Sequence, residues 1–317
     1  MNSHDTMLSK VKSYLADRRR VGFALRIAGQ QLLSFAHFAD GSGYRGPLTV
    51  DLGSRWALAN RRGLALTAAR RIEVLRSFAR YCQQMFDPKT EIPPLRLFGP
   101  GHRRLTPHIY TQQEIGALLA ASARLYPTNG LRPVTCATIF GLLSATGLRI
   151  SEATALRRQD ADLKRGILHI RQTKFGKSRL VPLHPSTTRV LQRYAHQRDR
   201  DPSSAATDAF FVFDHGQPAR TRKLQYAFRR LCRQLRWCAR GGHRAPRIHD
   251  MRHSFVCRRL QRWYKEGVDI DRNILALSTY LGHAKVTDTY WYITATPELM
   301  AIAARRLEPL APAGGGR

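Results

Sequence analysis

Acidic side chains are scarce in this chain. Of 317 residues only 22 are Asp or Glu, against 53 Lys or Arg, a formal net charge of +31. That imbalance excludes a protein working free of any polyanion, because such a field repels further copies of itself until something neutralises it. Nucleic acid is the leading candidate partner. An anionic membrane surface comes second, weakened by the lack of an isolated basic amphipathic tail. Cysteine is sparse too. Cys82, Cys136, Cys232, Cys238 and Cys257 are odd in number and scattered, which argues against a disulfide framework and for a reducing cytoplasm. Cys232, Cys238 and His243 match no common zinc spacing. Long apolar runs are missing as well. The most apolar stretch, from Thr135 to Leu148, is broken by Gly141, Ser144 and Gly147. A spanning helix needs about 20 apolar residues, so this reads as a buried helix. Met1 to Lys10 is polar and has no signal-peptide character.

What is present reads as mainly helical. In residues 1–106, Leu8, Val11 and Leu15 share a helix face, and a second helix is expected over Ala24 to Ala39. A short third covers Ser54 to Asn60. A fourth runs from Leu66 to Gln84, with Ala69, Ile72, Leu75, Phe78 and Ala79 inward and Arg70, Arg71, Arg76 and Arg80 mostly outward. Those arginines are either a solvated face or a surface tracking phosphates. Pro88, Pro93, Pro94, Gly99, Pro100, Gly101 and Pro107 mark an interdomain linker from about residue 87. The expected organisation is a helical domain over 1–106 and a second domain over 107–317. The two carry net charges of +11 and +20.

The second domain opens with a capping box, Thr111 and Glu114. Helices are expected over Pro133 to Ala145, Ser151 to Arg157, Thr187 to His196 and Arg222 to Arg240, the last strongly basic. Further helices begin at Ile248, Leu275 and Pro297. Ile167 to Gln172 and Arg179 to Leu183 make a β-hairpin. The fold class is thus mainly α with a small antiparallel β-sheet, the second domain mixed α+β. The tail from Pro309 reads as disordered.

Two familiar motifs fail. Gly176-Lys177-Ser178 ends like a phosphate-binding loop, but the glycine needed five residues earlier is Arg171. His249 and His253 stand at i and i+4 as on a zinc-protease helix, but the position of the general-base Glu holds Asp250, and no metal site is assigned. A basic set remains. Arg149 lies in Thr146-Gly-Leu-Arg-Ile-Ser-Glu152. Lys174 lies in Gln172-Thr-Lys-Phe-Gly-Lys-Ser-Arg-Leu-Val-Pro-Leu183. His249 and Arg252 lie three apart on one helix face. His283 lies in Tyr280-Leu-Gly-His283, and Tyr290 and Tyr292 follow in Thr289-Tyr-Trp-Tyr292. Each alone has a bland reading as an ion-paired, solvated or capping residue.

Together and in this order, these motifs resemble the tyrosine recombinase, or phage integrase, family. The resemblance runs from about Thr111 to Glu298. It places Arg149, Lys174, His249, Arg252, His283 and Tyr292 at the family's six active-site positions, and the stretch from His283 to Met300 is most similar to transposon-carried recombinases. The first domain is then similar to the family's core-site-binding domain. The resemblance implies a site-specific recombinase for integration, excision or transposition, acting in the cytoplasm at the nucleoid, on double-stranded DNA, without cofactor.

The residue types suit that chemistry. Attack on a phosphodiester adds negative charge to the non-bridging oxygens. Arg149 and Arg252 keep their charge at any working pH and present planar forks of donors. Tyr292 is the implied nucleophile, leaving a 3′-phosphotyrosyl link. A free tyrosine titrates near ~10, so His249 serves as base and Lys174 as the acid for the leaving oxygen. His283 donates to the phosphate. Tyr290 is the local rival of Tyr292, and Lys177 of Lys174, while Glu152 orients a neighbour. Rival readings are a type IB topoisomerase, a non-catalytic DNA-binding protein and an RNA-binding protein, though the last lacks a large stacking sheet. Strand exchange between two duplexes calls for a homo-tetramer. An apolar stripe of Leu299, Ile302, Ala303 and Leu307 is expected to dock on a neighbouring protomer.

Overall fold

The computed structural model describes residues 6–59, 65–101, 105–171 and 177–292. Lys174 and the helix expected from Pro297 lie outside the described residues. The chain divides into two compact units, Met1–Arg104 and Leu105–Arg317.

The first unit holds four helices, α1 (Met7–Arg20), α2 (Arg26–Gly41), α3 (Val50–Leu58) and α4 (Ala65–Met85). Thr6 caps α1 through the Ser9 amide, and Thr49 caps α3 through that of Leu52. Val11, Phe35, Leu52, Trp56, Leu75 and Phe78 fill the centre. Phe35 meets Trp56 and Phe78 edge-on, at 5.3 and 6.4 Å. Ala69, Ile72, Leu75, Phe78 and Ala79 are all buried, as their spacing predicts. The outer arginines of α4 are not simply solvated. Arg71 donates to the Trp56 carbonyl, Arg70 to that of Gly101 and Arg76 to that of Pro93. The Pro/Gly-rich stretch after 87 is correspondingly no bare spacer. Thr90 is buried, and Ile92 and Phe98 pack on the core of the first unit.

The second unit contains α5 (Gln112–Ser122), α6 (Leu131–Thr146), α7 (Ile150–Thr154), β1 (Ala161–Asp162), β2 (Ile167–Ile170) and β3 (Arg179–Pro182). These are followed by α8 (Pro185–Asp199), α9 (Thr221–Gln234), α10 (Asp250–Lys265), α11 (Ile270–Leu281) and α12 (Thr287–Tyr290). The Thr111–Glu114 capping box is formed. The architecture is mainly α with one small antiparallel sheet of order β1-β2-β3. Ile170 pairs with Arg179 and Ile167 with Pro182. The third strand, β1, is two residues long, too short to show as an alternating pattern. One core gathers Phe140, Leu168, Phe228 and Met251. A second gathers Val256, Leu260, Ile274, Leu281 and Tyr292.

Two departures from the sequence expectation have clear causes. Helix α9 stops at Gln234 rather than Arg240, because Arg236 turns left-handed at φ 53°. The Trp237 amide then closes onto the Cys232 carbonyl, and its ring packs 5.6 Å from Tyr110. A left-handed residue usually announces itself as glycine, and here it does not. Helix α8 starts two residues early, since Pro185 occupies its first turn, where a missing N–H costs nothing. All five cysteines are free, four of them buried. Among the described residues no helix is long and apolar enough to cross a membrane.

Candidate active site

The site begins where α6 stops. Gly147 caps it at φ 65°, and a Cβ there would stand 2.6 Å from the Phe255 ring. The chain turns straight into α7, with Arg149 at the N-cap position. The Glu152 carboxylate, buried, accepts from the Arg149 amide (2.9 Å) and from Arg149 Nη1 (2.7 Å). From the other side it accepts from both terminal nitrogens of Arg179, at 3.1 and 2.9 Å. Arg179 is itself anchored through Nε to the Tyr280 carbonyl (2.8 Å). Burial alone would raise the Glu152 carboxyl, but the bonds from Arg179 and Arg149 outweigh it and hold it below the ordinary range. Arg149 is thereby fixed, with Nη2 also reaching the Gly282 carbonyl at 3.3 Å.

The start of α10 supplies the next groups. Arg247 grips Asp250 through its side chain (2.6 Å) and amide (2.9 Å), setting the first turn. His249 precedes that turn with its residue open to solvent. Arg252 is only 2% exposed. It donates to the Gly147 carbonyl (2.7 Å) and the Leu281 carbonyl (2.9 Å). These are the closing ends of α6 and α11, where the helix dipoles are negative. Both acceptors are neutral groups. Burial and the neighbouring Arg149 charge pull the Arg252 guanidinium down to about 10, so it remains a cation at neutral pH.

Helix α11 ends on Gly282 at φ 69°. His283 follows, its Nδ1 within 2.7 Å of Thr289 Oγ1. Its ring lies nearly parallel to that of Tyr292, 6.1 Å away. Tyr292 is 4% exposed. Burial pushes its phenol up, and the neighbouring charge of Arg252 works against that rise. Tyr290 points elsewhere: it is 42% exposed and its hydroxyl bonds Asp271 at 3.4 Å.

Five of the six predicted positions thus converge: Arg149, His249, Arg252, His283 and Tyr292. Two further residues belong to the same cluster. Arg179 completes the Glu152 clamp; it stands in the Lys-x-x-Lys-x-Arg motif, but its spacing gives no hint of a buried partner. His253 is buried, and its Nδ1 has no hydrogen-bond partner among the described residues. Its ring lies 4.9 Å from His249, 5.3 Å from Trp291 and 5.1 Å from Tyr292. Burial and the adjacent cationic groups hold His253 at about 3, and the same causes hold His283 at about 4. His249 is lowered too: although the residue is open to solvent, its ring packs 4.9 Å from that of His253 and loses water there, and the Arg252 and Arg247 charges add to the effect. The imidazoles are therefore neutral at pH 7, and the arginines carry the charge. Among the described residues no group of three or more His, Cys, Asp or Glu side chains is placed to hold a metal ion.

Residues 109–298 match the model of the phage integrase family. An integrase/recombinase by name, y4rB of Sinorhizobium fredii (strain NBRC 101917 / NGR234), is 39% identical over 307 residues, covering 96% of this chain and 97% of the relative. Tyrosine recombinase XerC of Chlamydia caviae is 30% identical over 236 residues, 74% of this chain and 69% of its own. A solved structure of the Tn1549 transposon integrase in complex with transposon right end DNA superposes with a TM-score of 0.68 at 17% identity, over 96% of this chain and 99% of that one. By the family match and these relatives, the chain belongs to the phage integrase family and is a tyrosine-type site-specific DNA recombinase.

Proposed function

We propose that the chain cuts and rejoins double-stranded DNA through a 3′-phosphotyrosyl intermediate on Tyr292. The phenol oxygen attacks the scissile phosphorus, and the bond to the 5′ oxygen breaks. The phenolic proton passes to neutral His249, and the departing 5′ oxygen takes a proton from Lys174. Arg149 and Arg252 hold the non-bridging oxygens as their charge grows, and His283 adds a donor. Preorganised donors of this kind are worth about 3–4 kcal/mol each. The covalent link conserves the bond energy, so a 5′ hydroxyl from another strand can reverse the step without ATP. The observation that carries this reading is the placement of Tyr292, buried, beside the Arg252 charge and with its ring parallel to that of His283.

The basic charge of both units supports a grip on DNA from each, and the similar Tn1549 integrase is solved in complex with transposon right end DNA. We assign the chain to a homo-tetramer on paired sites, serving a mobile element by transposition or integration at the nucleoid. The family favours exchange between duplexes over relaxation of one. A nicked suicide substrate tests the core of this. The parent should form a covalent protein–DNA complex, and Tyr292→Phe should bind DNA yet form none. A phosphotyrosyl peptide centred on Tyr290 would overturn the assignment.

A further inference from the structure

The stretch 105–110, which enters the second unit, is bonded nearly throughout to the segment that delivers His249 and Arg252. The Gly242 amide donates to the Thr106 carbonyl (2.9 Å) and hydroxyl (2.8 Å). The Arg240 amide donates to His108 Nδ1 (3.3 Å). The Arg240 guanidinium donates to the Ile109 carbonyl (2.8 Å) and by two bonds of 2.7 Å to Glu114. The Tyr110 amide donates to Ser254 Oγ (2.8 Å), inside α10, and its hydroxyl to the Arg247 carbonyl (3.0 Å). The backbones touch: a Cβ on Gly241 would stand 2.3 Å from the Thr106 carbonyl oxygen. His108 is 1% exposed and lies 4.6 Å from the Tyr110 ring.

A plain spacer needs none of this. Its backbone groups would be satisfied by water, and its sequence would not demand a glycine opposite a carbonyl. Nor do these bonds close the neighbouring helices. Trp237 already closes α9, and the Arg247–Asp250 pair already starts α10.

We propose that Arg240, with Gly241 and Gly242, is a positioning residue for strand cleavage: it locks the entering stretch 105–110 to the 240–249 segment, so that the path of that stretch sets where His249 and Arg252 stand. The inference rests on the assignment of His249 and Arg252 to the reaction. Its consequence is that pull or slack in the entering stretch is felt at the phosphate. A displacement of 1 Å at a reacting centre can cost about 100-fold in rate.

The test uses the full chain and a nicked suicide duplex at saturating concentration. Arg240→Gln and Glu114→Gln break the clamp from opposite sides, the second without removing a cation. Gly241→Ala drives the two backbones apart. Each should slow covalent-complex formation about tenfold or more while the dissociation constant for the duplex stays within twofold. Amide exchange at Met251 and Arg252 should quicken. Should Gly241→Ala fail to fold, the two Gln variants decide alone. Faster exchange at 106–110 with parental cleavage overturns the proposal, and so does a parallel loss of binding and cleavage. Tyr292→Phe in the same assay reports separately on the site itself: a covalent complex that survives there defeats the site assignment, not the coupling.

Discussion

Replacing Glu152 by Gln removes the one negative charge between two guanidinium groups while preserving the side-chain volume. The carboxylate accepts four hydrogen bonds, from the Arg149 amide and Nη1 and from both terminal nitrogens of Arg179. An amide nitrogen in place of one oxygen faces a cation and cannot accept. Breaking a buried ion pair from one side costs about 3–5 kcal/mol. The Arg149 side chain is 28% exposed against 10% for Arg179, so part of the charge is screened and the loss should be about 3 kcal/mol. Cleavage should fall about 100-fold or more, as when one preorganised donor is lost, because nothing else holds Arg149 so firmly. Duplex binding should not weaken, since the net charge rises by one. Urea unfolding and suicide-substrate kinetics measure both effects. The sign with pH is also set. The Glu152 carboxyl titrates below its ordinary 4.5 in the folded chain, so its stabilisation is present above that value and lost as pH falls through the folded one. The gap between parent and variant should therefore shrink in acid. A Glu152→Gln protein within about 0.5 kcal/mol of the parent, cutting at the parental rate, would refute the clamp.

Two further outcomes follow from the same geometry. His253 moves from 6.5 in the unfolded chain to about 3 in the folded one; the unfolded state therefore binds the extra proton, and stability drops by about 2 kcal/mol between pH 7 and pH 5 on this account. His253→Phe, which keeps the ring contact with Tyr292, should remove that part of the slope, and an unchanged slope in melts at the two pH values would contradict it. Gly282→Ala places a Cβ 2.7 Å from Arg179 Nη1 at φ 69°. It should cost about 1–2 kcal/mol for the left-handed backbone alone, seen as a lower melting temperature, and a neutral effect would mean that Arg179 yields freely.

Much of this was legible beforehand because local rules agreed with the fold. The inner face of α4 and the Thr111 capping box are set by spacing within a single turn or two. Five of the site positions carry their own motifs, which is why Arg149, His249, Arg252, His283 and Tyr292 could be named together. What stayed hidden depends on residues far apart in the chain. Arg179 meets Glu152 across 27 positions. The stretch 105–110 reads as linker by its proline and its neighbours, yet its partners lie 131 to 148 residues away. Arg236 in a left-handed turn defeats any rule that looks for glycine there. By sequence Tyr290 is a local rival of Tyr292; in the structure Tyr292 is buried and Tyr290 stands open to solvent.

Arg252 holds the last carbonyls of two helices, α6 and α11, while Arg149 and His249 stand just ahead of two others, α7 and α10. The residues proposed for the reaction therefore gather at a junction of helix ends. This makes the site tolerant of one kind of evolutionary drift and brittle to another. Side chains along the helix interiors can be exchanged for others of similar size without moving an end. An inserted or deleted residue is different, because each one turns a helix by about 100° and shifts its end by about 1.5 Å. In α6 or α11 that would swing a terminal carbonyl off the guanidinium. Length changes among descendants of this chain should therefore collect in the loops on the far ends of these helices, and the helices themselves should keep their residue counts even where little of their sequence survives.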